Sequence, residues 1–415
     1  MPLHIVMLSD IETSGGAAIA ASRLAEALIQ LDAQVTRIVS NSDGLEHPWS
    51  TKILRAQLWE KVPLKVLGFA SKRLAKYTRE RLVCQHLHNL LIKLSPDVIN
   101  VHNLHGACNL RPSSGWSLDL LAICAHHAPT VWTLHDMWSF TGRCVYSYDC
   151  YKFLTSCDAL CPTPTEYPTL SPNYIAKSWS YRKKLFTKYQ DLVAVSPSHW
   201  LAREANHGIW KDHRIEVIPH GLPLEVYKPI EKNIARKTLG IETYGPVLIA
   251  AGNLNERRKG GRILIKALQK VSSRPLTLIT FGQKLLQVKI DDNIRIHQFG
   301  YINSERMKVF VYNAGDLFIH PAPVDNLPLV VMEAIACGTP VVGFAVGGVS
   351  EMVRPRRTGW LADEVSPEAL AEVIDTAIAD IHSGVDLQSL CRVVSETEYR
   401  SDLQAQRYLD LFKSL

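Results

Sequence analysis

An α/β chain of two doubly wound domains is what this sequence predicts, and three observations predict it. Short runs rich in Val, Ile, Leu and Phe alternate with helical stretches along the whole chain, the pattern of parallel sheets covered by helices on both faces. Its 415 residues suffice for two domains of ordinary size, each with its own core. Near the middle, IPHGLPLEVYKP (218–229) is rich in Pro and Gly and marks a hinge. The expected division is 1–218, 219–398 and a closing helix over 399–415.

In the first half the apolar runs predict strands at His4–Ser9, Val35–Ser40, Asp97–His102, Thr130–Leu134, Leu192–Ser196 and Ile215–Pro219. In the second half they predict Val247–Ala251, Leu276–Phe281, Ile294–Phe299, Asp316–Ile319 and Pro340–Phe344. The sequence shows no internal repeat and no low-complexity tract. A hydrophobic fraction of 47% and a charged fraction of 21% are those of a soluble globular protein. No apolar run reaches the length of a membrane span, and MPLHIVMLSD lacks a signal peptide's basic front and long apolar core. Cytoplasmic residence is the expectation. A net charge of +6 is mild and does not call for nucleic acid.

The basic excess is concentrated. Between Lys52 and Lys93 stand ten Lys and Arg against Glu60 and Glu80, interleaved with residues such as Trp59, Leu67 and Phe69. Two readings fit this segment, 52–93. It can lie peripherally on an anionic membrane surface with its apolar side down, or it is an ordinary helix pair whose apolar side faces the core.

The densest chemistry lies in PAPVDNLPLVVMEAIACGTPVV (321–342), where Asp325 and Glu333 are eight positions apart. A short buried strand precedes Asp325-Asn326. Pro328 suits a first helical position, and Gly338 with Pro340 closes the helix. One acid then lies on the loop before the helix and the other inside it. The segment Asn326, Leu327, Pro328, Leu329 forms a helix start whose backbone N–H groups favour anions. A nucleoside diphosphate sugar needs this order: hydroxyls at the sugar, charge in the middle, hydroxyls at the ribose. Most acids are simply solvated, but Glu333 is set among Val330, Val331, Met332, Ala334 and Ile335, where an unpartnered carboxylate is costly.

This segment resembles the E-x7-E region of retaining glycosyltransferases of family four, bacterial colanic-acid and exopolysaccharide types among them. The GTPVV and GG-V-x-E-x-V continuation (Gly338–Val342, Gly347–Val353) extends the resemblance, which covers nearly the whole chain. It implies the GT-B fold, two Rossmann-like domains facing a central cleft, with the last helix crossing back to the first domain. One departure stands out: the first acid is Asp325 where the family usually has Glu, so the carboxylate is retracted by one methylene. The resemblance implies that Glu333 holds the ribose and Asp325 the sugar hydroxyls.

Three other loops carry candidate residues. Gly15 and Gly16 in SDIETSGGAAIAASRL (9–24) lie between a strand and a helix, where a backbone can approach a ligand closely. The spacing is not G-x-G-x-x-G, so a nicotinamide dinucleotide is poorly supported. In the family the matching loop lies against the donor diphosphate and the acceptor. In VWTLHDMWSF (131–140), His135 and Asp136 end a strand. Such a pair is either structural or functional on spacing alone, and the resemblance places a His here on the donor sugar. His102 and His105 in VHNLHG (101–106) close another strand and are expected, with Asp136, on the acceptor side. Arg257, Arg258 and Lys259 in AAGNLNERRKGGRILIKAL (250–268) can neutralise a departing diphosphate, or form a solvated basic loop. Lys259 matches the family's Lys before Gly. Asn253 or Leu254 stands where an early Arg is usual, so the guanidinium role passes to Arg258.

Nine cysteines are present, and Cys144, Cys150, Cys157 and Cys161 crowd into RCVYSYDCYKFLTSCDALCP (143–162). In a reducing compartment four neighbouring cysteines suggest either a structural Zn²⁺ or reduced, buried thiols. Only Cys157 and Cys161 have ordinary metal spacing. Similar inserts follow HDMW-like strands in the bacterial sugar transferases named above.

The expectation is therefore a retaining hexosyltransferase that uses a nucleoside diphosphate sugar and a glycan or lipid-linked acceptor. No cofactor is required for catalysis, since the Lys, the Arg and the helix start supply the positive field, and no D-x-D motif is present. A non-catalytic nucleotide-sugar-binding or assembly protein of a polysaccharide complex is the alternative, motivated by Asp325 and the missing early Arg. An epimerase or phosphorylase on the same fold ranks behind both.

Overall fold

The computed structural model describes residues 2–41, 50–52, 72–105, 116–163, 166–282 and 291–415. The chain divides into two compact units, Met1–Ile218 with Gln404–Leu415, and Pro219–Leu403.

The first unit is built on a wholly parallel sheet. Its strands are β1 (His4–Ile11), β2 (Gln34–Asn41), β3 (Ser50–Lys52), β4 (Val98–Val101), β5 (Thr130–Thr133), β6 (Val193–Ser196) and β7 (Ile215–Val217). They lie side by side in the order β3-β2-β1-β4-β5-β6-β7. Register at the centre is set by apolar partners: Ile5 pairs with Val35 on one side and with Val98 on the other. Strands such as β4 (VINV) and β6 (VAVS) are buried throughout, as expected where helices cover both faces. The helix Ser401–Lys413 adds Ala405, Tyr408 and Phe412 to this unit's core, and Tyr408 shares a 2.9 Å hydrogen bond with Thr133 Oγ1.

The second unit repeats the plan. Its strands are β8 (Val247–Ala251), β9 (Leu276–Phe281), β10 (Ile294–Gln298), β11 (Leu317–His320), β12 (Val341–Phe344) and β13 (Gly359–Ala362). Their order is β10-β9-β8-β11-β12-β13, again all parallel. In both sheets the chain first winds outward on one side of the starting strand and then returns to its other side. That reversal opens a crevice beyond the strand ends, between β1 and β4 in one unit and between β8 and β11 in the other.

Each strand expected from the sequence is present within two residues of its expected bounds. β3 and β13 were not foreseen. β13 is only four residues, GWLA, squeezed between Arg354–Arg357 and Asp363, too short for a period to declare itself. Of the basic segment, residues 53–71 lie outside the described residues. Lys52 ends β3, and the rest is one helix, Lys72–Leu94, in which Val83, Leu87 and Leu91 form a buried i, i+4, i+8 stripe. That stripe faces inward, while Leu82 and Ile92 on the same helix are exposed. No helix among the described residues is long and apolar enough to cross a membrane.

Candidate functional site

In the second unit the loop after β8 and the loop after β11 meet at the crevice. Gly260 ends the first loop with φ +70, and a Cβ there would stand 1.7 Å from the Pro321 carbonyl oxygen. Only glycine permits both the left-handed backbone and the contact. The close approach carries Lys259 to Asp325: Nζ lies 2.9 Å from Oδ2, with Asp325 only 5% exposed. His320, the last residue of β11, places Nε2 3.5 Å from the same oxygen. Asp325 Oδ1 accepts from the Asn326 N–H at 3.0 Å, and the Asp325 carbonyl accepts from the Gly348 N–H at 3.2 Å.

Burial opposes the charge on Asp325, but Lys259, His320 and Arg258 outweigh it and hold the carboxyl well below the ordinary carboxylate range. Burial dominates at His320 and lowers its pKa, although Asp325 pulls the other way. At neutral pH the site therefore holds an ionised Asp325 beside an uncharged His320. Arg258 reaches Glu256 at 3.6 Å and remains half-buried.

The helix Leu329–Ala336 begins one residue later than the sequence suggests, with Pro328 as its N-cap. Pro328 has no N–H to offer. The helix-start donors that lack intrahelical acceptors include those of Leu329 and Val330, both half-buried. Glu333, two turns along the loop–helix segment from Asp325, is 3% exposed and accepts a 2.8 Å hydrogen bond from the Tyr312 hydroxyl. Burial and the neighbouring Glu333 charge raise the Tyr312 pKa well above its usual value, so the phenol stays a donor. This is the pairing that a carboxylate in so apolar a helix requires.

In the first unit the crevice gathers four of the residues singled out above. His102 Nδ1 and His135 Nε2 are 3.0 Å apart at the ends of β4 and β5. Beside them His105 Nε2 lies 3.1 Å from Asp136 Oδ2, while Asp136 Oδ1 caps the next turn through the Trp138 N–H at 2.9 Å. Burial disfavours a charged His105, but Asp136 and then Asp10 overcome it and raise its pKa. Gly15 caps the helix Gly16–Gln30 with φ +93, and a Cβ on either glycine would meet nothing within 4 Å. The loop before Gly15 is anchored by buried Arg37, whose Nη2 donates to the Glu12 carbonyl at 2.9 Å and whose Nη1 donates to Ser22 Oγ at 2.6 Å.

The insert after β5 is fastened by two buried guanidinium groups. Arg143 donates to the Pro168 carbonyl at 2.8 Å and to Thr163 Oγ1 at 3.1 Å, and Arg182 donates to the Gly142 carbonyl at 3.2 Å. The eight described cysteines are all free. Cys144 hydrogen-bonds to Cys161, which pushes the Cys161 thiol down to about 5 and its own thiol up. Cys157 Sγ instead accepts the Gly142 N–H at 3.2 Å. Among the described residues no group of three or more His, Cys, Asp or Glu is disposed to hold a metal ion, while Cys144, Cys150, Cys157 and Cys161 are near enough for their charges to interact.

Tyr312, His320 and Arg37 were not singled out from the sequence. Nothing local marks the first or the last. His320 could have been found, since it is a polar residue ending a buried strand at a switch point.

Comparison with known proteins completes the picture. Residues 14–226 match the family described as Glycosyltransferase Family 4, and residues 245–380 match Glycosyl transferases group 1. A protein of Escherichia coli (strain K12) named for colanic acid biosynthesis, the glycosyl transferase WcaC, is 25% identical over 331 residues, 77% of each chain. A D-inositol 3-phosphate glycosyltransferase of Xylanimonas cellulosilytica is 28% identical over 48% of this chain and 51% of its own. Among solved structures, sucrose-phosphate synthase from Thermosynechococcus elongatus superposes with TM-score 0.70 at 19% identity, covering 99% of this chain and 98% of its own. HepE from Anabaena, solved with UDP and glucose, gives 0.64 at 17% identity over the whole of both chains. The chain belongs to glycosyltransferase family 4, and its two sheets are those of the GT-B fold.

Proposed function

We propose that this glycosyltransferase retains anomeric configuration and moves a hexose from a nucleoside diphosphate sugar to a glycan or lipid-linked acceptor in cell-envelope polysaccharide synthesis. The observation that carries this reading is the Lys259–Asp325 pair at the β8/β11 crevice, 2.9 Å apart and directly before a helix start. A diphosphate sugar has a use for each part. Lys259, Arg258 and the helix-start N–H groups meet the diphosphate as charge develops on the leaving group. Asp325 meets sugar hydroxyls and Glu333 meets the ribose, with Tyr312 holding the Glu333 carboxylate in place. His135 contributes to the sugar and His102, His105 and Asp136 to the acceptor.

No side chain is needed as a covalent nucleophile in this scheme. The acceptor hydroxyl attacks on the face from which the diphosphate leaves, and a departing phosphate oxygen takes its proton. WcaC's name supports a polysaccharide setting, and the HepE complexes with UDP and UDP-glucose support a nucleotide-sugar donor.

The test is nucleotide release from UDP-, GDP-, ADP- and dTDP-sugars, with wild type and Glu333→Gln in parallel. Gln keeps the acceptor oxygen for Tyr312, so folding and chemistry separate. Slow release from one donor, falling by about a hundredfold in the variant, is expected. Binding of a donor without release, even with membrane extract as acceptor, would move the non-catalytic reading ahead.

A further inference from the structure

The helix Pro172–Lys188 carries an outward face that the chemistry above does not use. From Tyr167 to Gln190 there is no acid, while Lys177, Lys183, Lys184 and Lys188 are all exposed. Lys177, Tyr181, Lys184 and Lys188 follow i, i+4, i+7, i+11 and form one stripe. An open groove of about 470 Å³ runs along the helix, lined by Trp179, Ser180, Lys183, Lys184, Thr187 and Lys188. The lysine stems lie along aromatic rings: Lys183 Nζ is 5.2 Å from the centre of Trp179, and Lys177 Nζ is 5.7 Å from that of Tyr174. Cations carried over aromatic and aliphatic surface suit a phosphate-lined boundary between water and hydrocarbon.

The cysteine-bearing insert continues this surface. Trp179 Nε1 donates to the Phe153 carbonyl at 3.2 Å, which fixes the turn Lys152–Leu154 against the helix. On either side of buried Phe153, Tyr151 and Leu154 point to solvent, and Leu160 is 79% exposed. Apolar side chains this open, grouped beside a basic face, mark an interaction surface. Tyr167, also exposed, stands 5.9 Å from the His105 ring and so reaches the His105–Asp136 pair.

We propose that the basic face of Pro172–Lys188 and the Tyr151–Leu160 turn dock this protein on an anionic lipid surface. The inference deepens the function proposed above and rests on its lipid-linked acceptor, whose head group would be met where Tyr167 and His105 lie. Charge complementarity selects the occupant. Four exposed lysines outnumber the neighbouring carboxylates, Asp119 being taken up by the Tyr181 hydroxyl and Asp158 by Lys152. They favour an anionic bilayer, each contributing near the surface, and the exposed Leu and Tyr side chains add an apolar component that a soluble polyanion would not use.

The experiment is co-sedimentation of the full chain with vesicles of phosphatidylcholine, alone or with about one-third phosphatidylglycerol. Wild type should bind the anionic vesicles at least about tenfold more tightly than the neutral ones, less so as salt rises. The variant Lys177→Gln, Lys183→Gln, Lys184→Gln, Lys188→Gln should lose that preference. Leu154→Ser with Leu160→Ser should weaken binding about threefold with the charge intact. If the fourfold variant unfolds, Lys184→Gln with Lys188→Gln must by itself lose about threefold.

Wild-type indifference to lipid charge overturns the proposal, as does unchanged binding by a folded lysine variant. Equal affinity for soluble polyglutamate would assign the face to an acidic polymer and overturn it too. Nucleotide release in solution, followed on the same variants, should stay near wild type. Its absence in wild type counts against donor chemistry and leaves the vesicle result standing.

Discussion

The two crevices share a backbone plan and differ in the charges they hold. In each unit the crevice is opened by the same reversal of strand order, between β1 and β4 or between β8 and β11. The second unit fills it with Lys259 beside an Asp325 whose carboxyl is held well below the ordinary carboxylate range. The first unit fills it with imidazoles, His102 against His135 and His105 against Asp136. Imidazoles change charge close to neutrality. Topology thus opens the crevice, and the residues ending the strands choose what it offers. A diphosphate asks for constant positive charge. An acceptor hydroxyl asks for groups that can give or take a hydrogen bond.

The strongest way to break this contrast is Lys259→Met. It leaves a buried Asp325 carboxylate without its main counter-charge, and should cost about 3–5 kcal/mol in urea unfolding at pH 7. In wild type the folded pKa of Asp325 lies below its unfolded value near 4. The pair's contribution is therefore fully present above that value and is lost as pH falls through the folded one. In the variant the carboxyl should instead favour its protonated form, so stability should rise, relative to wild type, between pH 7 and pH 4. Parallel unfolding at those two pH values checks it. An equal cost at both would mean that packing of the Lys259 stem, and not its charge, holds the loop.

Tyr312→Phe asks whether the second unit's inner carboxylate depends on a neutral partner. Removing the hydroxyl leaves a buried Glu333 oxygen short of its 2.8 Å donor and should cost about 2 kcal/mol. Combining it with Glu333→Gln should recover much of that loss, because an amide buried without the phenol is less costly than a carboxylate. Additive losses in the double variant would show that the two side chains are not coupled.

What could be read in advance follows the range of the interactions. Strands β8 (VLIAA) and β12 (VVGF) are continuous apolar runs, because parallel strands are covered on both faces, and such runs are visible without neighbours. Asp325, Glu333 and Lys259 were visible as charges in places where charge needs a reason. Their partners were not. Tyr312 meets Glu333 from a helix 21 positions earlier, and Lys259 meets Asp325 across 66 positions. The cysteines are a local case: closeness in sequence left a metal cage and reduced thiols both open, and in the fold Cys157 accepts the Gly142 N–H while Cys144 lies against Cys161. Nothing local marks the exposure of Tyr151, Leu154 and Leu160, which is set by Phe153 packing under the turn.

The smallest effect tests the imidazole side of the contrast. Asp136→Asn keeps an oxygen for the Trp138 N–H, so the cap survives and only the charge beside His105 is removed. Burial then acts on His105 with less opposition, and its raised pKa should fall. A histidine with a raised folded pKa contributes stability that is fully present below its unfolded value near 6.5 and is lost as pH rises through the folded value. The variant should therefore be about 1 kcal/mol less stable than wild type near pH 6, with the gap closing toward pH 9. Thermal unfolding across that range reads the gap directly, and histidine NMR titration assigns it to His105. A gap that stayed constant with pH would mean that Asp136 acts only through its shape and not through its charge on His105.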